Sequence, residues 1–200
     1  SSCTMSKCNT KLPRIEGQII KPRGANQVVH LDYVNMQSVD TNYTHPEYGQ
    51  FLVMVDAFTL YCTAIPCKLN TTAAETFQMF LTHWVAPFGP PKKGILVDGA
   101  KQFCCELTKL CTNLLNIRLL YIAPHKHSGN LAERIHRTLL TNIRCAKSQL
   151  NFCPSNWPIL LALAVHAHNN AKQVRTGICL LYTSDAADDS LRVDLGGRRI

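Results

Sequence analysis

Gly94-Ile95-Leu96-Val97-Asp98 is the stretch on which the fold turns. A run this short and this apolar fits an interior strand covered on both faces, and it ends on a carboxylate. Its flanks decide the class. Upstream, Thr72 and Glu75 form a capping box, and Ala73, Phe77, Phe80, Leu81 and Trp84 keep helical spacing until Phe88-Gly89-Pro90-Pro91 stops the helix. Downstream, Phe103, Leu107, Leu110, Cys111 and Leu114 share one helical face, and residues 117–123 return as a strand. Strands alternating with helices in this way define an α/β layout.

Further out on the N-terminal side, residues 27–34, 50–55 and 60–67 read as three β-rich runs with short links, the pattern of an antiparallel meander. On the C-terminal side, residues 124–129 form a His-rich loop. A long helix is expected over 131–150, where Leu131, Ile135, Leu139 and Ile143 make an i, i+4 stripe, and a last helix over 158–170. The expectation is a mixed sheet flanked by helices.

Composition narrows the function classes. With 46% hydrophobic and 17% charged residues, the 200-residue chain has enough apolar content for a core. The longest apolar stretch, 157–165, carries Pro158 and falls well short of the roughly 20 residues a bilayer span needs. No secretory pattern opens the chain, and the ten cysteines sit largely in apolar periodic segments, which fits reduced thiols in a cytosolic or nuclear setting. The formal net charge of +8 points to a polyanionic partner.

The acids before residue 179 are few enough to weigh singly. Asp32 sits inside the first strand, where both propensity and burial disfavour an acid. Asp98 ends an interior strand at the carboxyl edge, where open α/β sheets place their sites. Glu133 opens the long helix. Clustered carboxylates repel one another unless a cation neutralises them, and two Mg²⁺ or Mn²⁺ ions held that way suit phosphoryl transfer. Asp56 also ends a strand, so the residues alone leave it open beside these three.

Four segments then carry a resemblance: His30-Leu31-Asp32-Tyr33-Val34, residues 51–59 (FLVMVDAFT), residues 97–103 (VDGAKQF) and residues 125–134 (HKHSGNLAER). In this order, with Asp98 and Glu133 separated by 35 positions, they resemble the integrase catalytic core of retroviruses and LTR retrotransposons, most of all the Ty3/Gypsy type. The resemblance implies a ribonuclease H-like fold and a D,D-35-E type site on Asp32, Asp98 and Glu133. It further implies two Mg²⁺ or Mn²⁺ ions, double-stranded DNA as substrate, 3′-end processing and strand transfer. A homo-multimer without a membrane association follows, located in the host nucleus and in a cytoplasmic virus-like particle. The same triad also suits a DDE transposase or a ribonuclease H-like nuclease, and a domesticated relative would bind DNA without catalysis.

Basic residues on and before the long helix are candidate phosphate contacts: Lys126 from the loop, Arg134 and Arg137 beside Glu133. A solvated helix face is the alternative meaning of Arg134 and Arg137. His125 and His127 lack a third ligand at matching spacing, so loop solvation or phosphate contact is expected of them. Trp84 and Trp157 are expected in the core.

The ends read differently from the body. Cys3 and Cys8 are a C-x4-C pair, by themselves two ordinary thiols; the resemblance makes them half of a His-His-Cys-Cys zinc module, so Zn²⁺ is expected only in the intact module. Residues 1–10 are therefore taken as a remnant of that module, 11–26 as a linker and 27–178 as the core. Residues 179–200 hold four of the 13 acids, and CLLYTS at 179–184 can be written TGTCTCTTATACACATCT, which resembles the end sequence of transposase-based sequencing adapters. That segment is expected to be translated adapter, set aside from the fold.

Overall fold

The computed structural model describes residues 22–97, 106–121 and 131–171. Five strands, β1 (Val28–Asn35), β2 (Gln50–Asp56), β3 (Cys62–Cys67), β4 (Gly94–Val97) and β5 (Leu119–Tyr121), form one sheet in the order β3-β2-β1-β4-β5. β1 pairs antiparallel with β2, and β2 with β3, whereas β4 joins β1 and β5 joins β4 in parallel. The change of direction follows from the connections. The short 57–61 turn returns β3 antiparallel to β2, the 36–49 connection with its one helical turn returns β2 antiparallel to β1, and the helical crossovers before β4 and β5 return those strands parallel. The sheet is mixed, as the alternation of elements predicts.

Two helical layers cover it. On one face lie α2 (Ala73–Phe80), a π-helical turn (Leu81–Val85), α3 (Ala86–Phe88) and α4 (Glu106–Leu115). Val29, Leu31, Leu52, Met54, Ile95 and Val97 pack there against Phe77, Phe80, Trp84 and Cys111. On the other face α5 (Leu131–Leu150) and α6 (Trp157–Asn170) bury Ile135, Leu139, Ile143, Trp157 and Leu160 against Val34, Phe51, Val53 and Val55. Odd and even positions of β1 and β2 thus serve two cores, which is why these strands are apolar almost throughout.

The capping box at Thr72 forms as expected, with Glu75 N donating to Thr72 Oγ1 and Glu75 Oε2 accepting from Thr72 N. The helix it starts widens over Leu81–Val85. Pro87 has no N–H for the His83 carbonyl, and the π-helical turn accommodates that missing bond. Gly89, at φ +76°, closes it.

Two features were not expected. α1 (Met36–Val39) occupies what reads as a polar connector: Asn35 Oδ1 accepts from Gln37 N and Ser38 N, and Met36 is fully buried. Asn169 caps the edge strand, its side-chain amide accepting from Cys62 N at 3.1 Å and donating to Cys62 O at 2.8 Å. Both tryptophans are core residues, with Trp84 Nε1 donating to Asn26 Oδ1. Asn26, the last residue of the expected linker, also donates through its side chain to Phe88 O and Gly89 O. Gly94 permits the β4–β5 junction: at φ +145°, a Cβ there would stand 2.5 Å from the Arg118 carbonyl oxygen. Among the described residues, no helix is long and apolar enough to cross a membrane.

Candidate active site

Asp32 is set by the alternation of β1. Val34, two residues on, lies in the core beneath α5 and α6, so Asp32 faces the same layer. Its Oδ1 accepts from Tyr33 N at 2.9 Å. Its Oδ2 stands 3.5 Å from His136 Nδ1, with the two side chains 20% and 21% exposed. One carboxylate oxygen is thus held by its own strand, and the other looks across to α5.

The rotation of α5 is fixed by its apolar stripe. Ala132, Ile135, Leu139, Leu140 and Ile143 are buried against the sheet, which leaves Glu133, His136 and Arg137 on the flank. Glu133 stands in the first turn, 29% exposed, with Oε1 2.6 Å from Arg137 Nη2. His136 is three residues, about one turn, beyond Glu133 and shares its side of the helix. With α5 seated by its apolar stripe, the His136–Asp32 contact lies about one turn from Glu133, beside β1.

The β1–β4 register ends at Leu31 opposite Val97, and in the sequence each of these two is followed by an acid, Asp32 and Asp98. Asp98 lies outside the described residues, as do Lys126, His125, His127, Cys3 and Cys8. Arg134 and Arg137 are exposed on α5, and Arg137 is paired with Glu133.

Asp56 is used differently. Its Oδ1 accepts from Asn26 N at 3.1 Å, and its Oδ2 accepts from Thr59 N at 2.8 Å and from Thr59 Oγ1 at 2.7 Å. It is 3% exposed, with Oδ2 engaged by the β2–β3 turn and Oδ1 by the segment that leads into β1.

The donor set suits a hard divalent cation, since Asp32 and Glu133 offer only oxygen. Among the described residues Asp32 Oδ2 accepts no hydrogen bond, so it retains lone pairs for a metal. Also among the described residues, no group of three or more His, Cys, Asp or Glu side chains is assembled to hold one. The candidate set needs Asp98.

His136 was absent from the candidates drawn from the sequence. The available signal was its spacing from Glu133, which puts an imidazole on the carboxylate's side of the helix.

The fold can be classed: the chain has the ribonuclease H-like fold of retroviral integrase catalytic cores. The HTLV-2 integrase catalytic core domain in complex with magnesium, in its dimeric form, matches at TM-score 0.58 and 21% identity, covering 78% of this chain and 94% of that one. The simian T-cell lymphotropic virus intasome in complex with PP2A regulatory subunit B56 gamma matches at TM-score 0.62 and 23% identity, covering 80% and 53%. In sequence, the chain is similar to the Transposon Tf2-3 and Tf2-4 polyproteins of Schizosaccharomyces pombe, 28% identical over 125 residues. That match covers 62% of this chain and 9% of each polyprotein's length. No family model matches the chain.

Proposed function

We propose that the chain is the catalytic-core portion of a retrotransposon integrase, a metal-dependent polynucleotidyl transferase that processes the 3′ ends of element DNA and joins them to host DNA in the nucleus. The observation that supports the reading is the Asp32–His136 contact, made about one turn from Glu133 on α5 and on the strand paired with β4, which ends one residue before Asp98 in the sequence. Asp32, Asp98 and Glu133 would hold Mg²⁺ or Mn²⁺. The chemistry such ions supply when bound is neutralisation of phosphodiester charge and activation of the attacking and leaving oxygens. The chain's own part is to keep three like charges close together, to orient Asp32 from β1, and to present Glu133 from a helix rigidified by its buried stripe.

DNA is the substrate this reading assigns. The net charge of +8, exposed Arg134 and the further cations Arg144 and Lys147 on α5 favour a phosphate backbone near the acids. Lys126 and Arg137 join them in the proposal, Arg137 by leaving Glu133 when the acids are neutralised. A homo-multimer is part of the same proposal: Ile159 and Leu163 stand one turn apart on α6, 54% and 44% exposed, on a helix that is apolar nearly all round. Zn²⁺ on Cys3 and Cys8 belongs to the complete N-terminal module.

The test is supercoiled-plasmid nicking and oligonucleotide strand transfer with Mg²⁺ or Mn²⁺. Asp32→Asn, Asp98→Asn and Glu133→Gln should each abolish catalysis while leaving salt-sensitive DNA binding intact. Wild-type rates in any of the three would refute the assignment of that acid, and in all three would favour a DNA-binding protein without catalysis.

A further inference from the structure

Resting on the integrase reading, we propose that His136 is a positioning residue that holds the Asp32 carboxylate for metal binding. Asp32 Oδ1 is fixed by the Tyr33 backbone N–H, so the plane of the carboxylate is set by whatever addresses Oδ2. His136 Nδ1, 3.5 Å away, is the group that does. That nitrogen is buried and makes no hydrogen bond among the described residues. Leaving a buried nitrogen unsatisfied is costly, so its retention at this junction calls for a partner, and a closure of roughly 0.5 Å brings Oδ2 to ordinary hydrogen-bond distance.

With its proton on Nδ1, the imidazole donates to Oδ2 and leaves that oxygen's remaining lone pair free. The geometry differs from ligation: the nitrogen faces a carboxylate oxygen, and carboxylate suits Mg²⁺ or Mn²⁺ better than imidazole does. Because His136 lies one turn beyond Glu133, a single helix both presents one acid and orients another that sits on β1. Displacing the first turns of α5 would disturb both acids at once. His136 therefore couples the seating of α5 to the shape of the ion-binding space.

The experiment is Mn²⁺ titration of the full chain, with free Mn²⁺ read by electron paramagnetic resonance, on wild type, His136→Ala, His136→Asn and His136→Gln. An asparagine amide nitrogen overlays Nδ1, whereas a glutamine amide overlays Nε2. Loss of a partner that orients a metal ligand typically costs ten- to hundredfold in affinity, so His136→Ala should bind Mn²⁺ about tenfold more weakly or worse. His136→Asn should recover most of that loss and His136→Gln should not, with melting temperatures in EDTA close to wild type for all three. A role confined to packing would move the melting temperatures and would not separate Asn from Gln. Unchanged Mn²⁺ affinity in His136→Ala, with Asp32→Asn abolishing binding, would overturn the role of His136 and leave the integrase reading standing. Absence of Mn²⁺ binding by wild type would overturn both.

Discussion

Replacing Asp56 with alanine should unfold the chain at markedly lower temperature without touching chemistry, and replacing Asp32 should do the reverse. Both acids lie on strands of the same antiparallel pair, with Asp56 opposite Val29 and Asp32 opposite Val53. Asp56→Ala strips the acceptor from two backbone N–H groups, those of Asn26 and Thr59, and from the Thr59 hydroxyl. Leaving a buried donor unsatisfied costs about 1–3 kcal/mol. Asn26 and Thr59 are only half-buried, so the lower end applies to each, and the hydroxyl can turn to water.

The same turn holds Leu60 at φ +68°, a conformation that costs a non-glycine residue about 1–2 kcal/mol and persists because the surrounding bonds enforce it. Release of that strain offsets part of the loss, so the two N–H groups, at about 1 kcal/mol each, set the cost of Asp56→Ala at about 2 kcal/mol. For a chain of this size that lowers the melting temperature by about 4–8 °C. Asp32→Ala removes one hydrogen bond, to the N–H of the next residue, and relieves repulsion among the acids; its stability should change by less than about 0.5 kcal/mol. The assay is thermal melting by circular dichroism in EDTA, paired with plasmid nicking in Mn²⁺ well below either transition. Asp56→Ala melting with wild type would refute the turn account. A folded Asp56→Ala without nicking activity, beside an active Asp32→Ala, would exchange the roles of the two acids.

Other perturbations separate scaffold from site. Asn169→Ala should cost about 2–4 kcal/mol, because it orphans both the N–H and the carbonyl of fully buried Cys62, and amide exchange at Cys62 should accelerate in parallel. Arg137→Ala should barely shift the melting temperature, since its side chain is 71% exposed and exposed i, i+4 pairs contribute little. It should nonetheless lower the salt slope of DNA binding by about one while leaving Mn²⁺ affinity at or above wild type. Among the described thiols, Cys153 should alkylate first. A hydrogen bond from the Ser155 hydroxyl lowers its pKa from the ordinary thiol value, which raises the thiolate fraction at pH 8, whereas burial pushes Cys62 and Cys111 up to about 12. Ser155→Ala should move the pH–rate midpoint of Cys153 alkylation upward, as read by peptide mass mapping; no upward movement would refute that cause.

The sequence was most legible where one local rule was enough. The apolar run at 94–97, the capping box at Thr72 and the i, i+4 stripe of α5 each name their element. The Met36 turn was hidden because its hydrophobicity is a single residue wide, and its reason is a cap plus a core position rather than a period. Asn169 was hidden because an amide on a helix end gives no sign that it will face an edge strand 107 residues away in sequence. The site divides along the same line. Asp32 stands out by being an acid in an apolar strand, but its difference from Asp56 lies in where lone pairs go, which only the folded register decides. His136 is the sharpest case. Within HRTLL it reads as one more polar residue on a charged flank, and its position relative to Glu133 follows from helix geometry alone. What makes it matter is the seating of α5 on β1, fixed by Ile135, Leu139 and Ile143 filling the space above Val53 and Val55. The stripe that helical periodicity reveals is therefore the device that delivers the imidazole to Asp32, and shortening a residue in it should disturb Mn²⁺ binding through that seating.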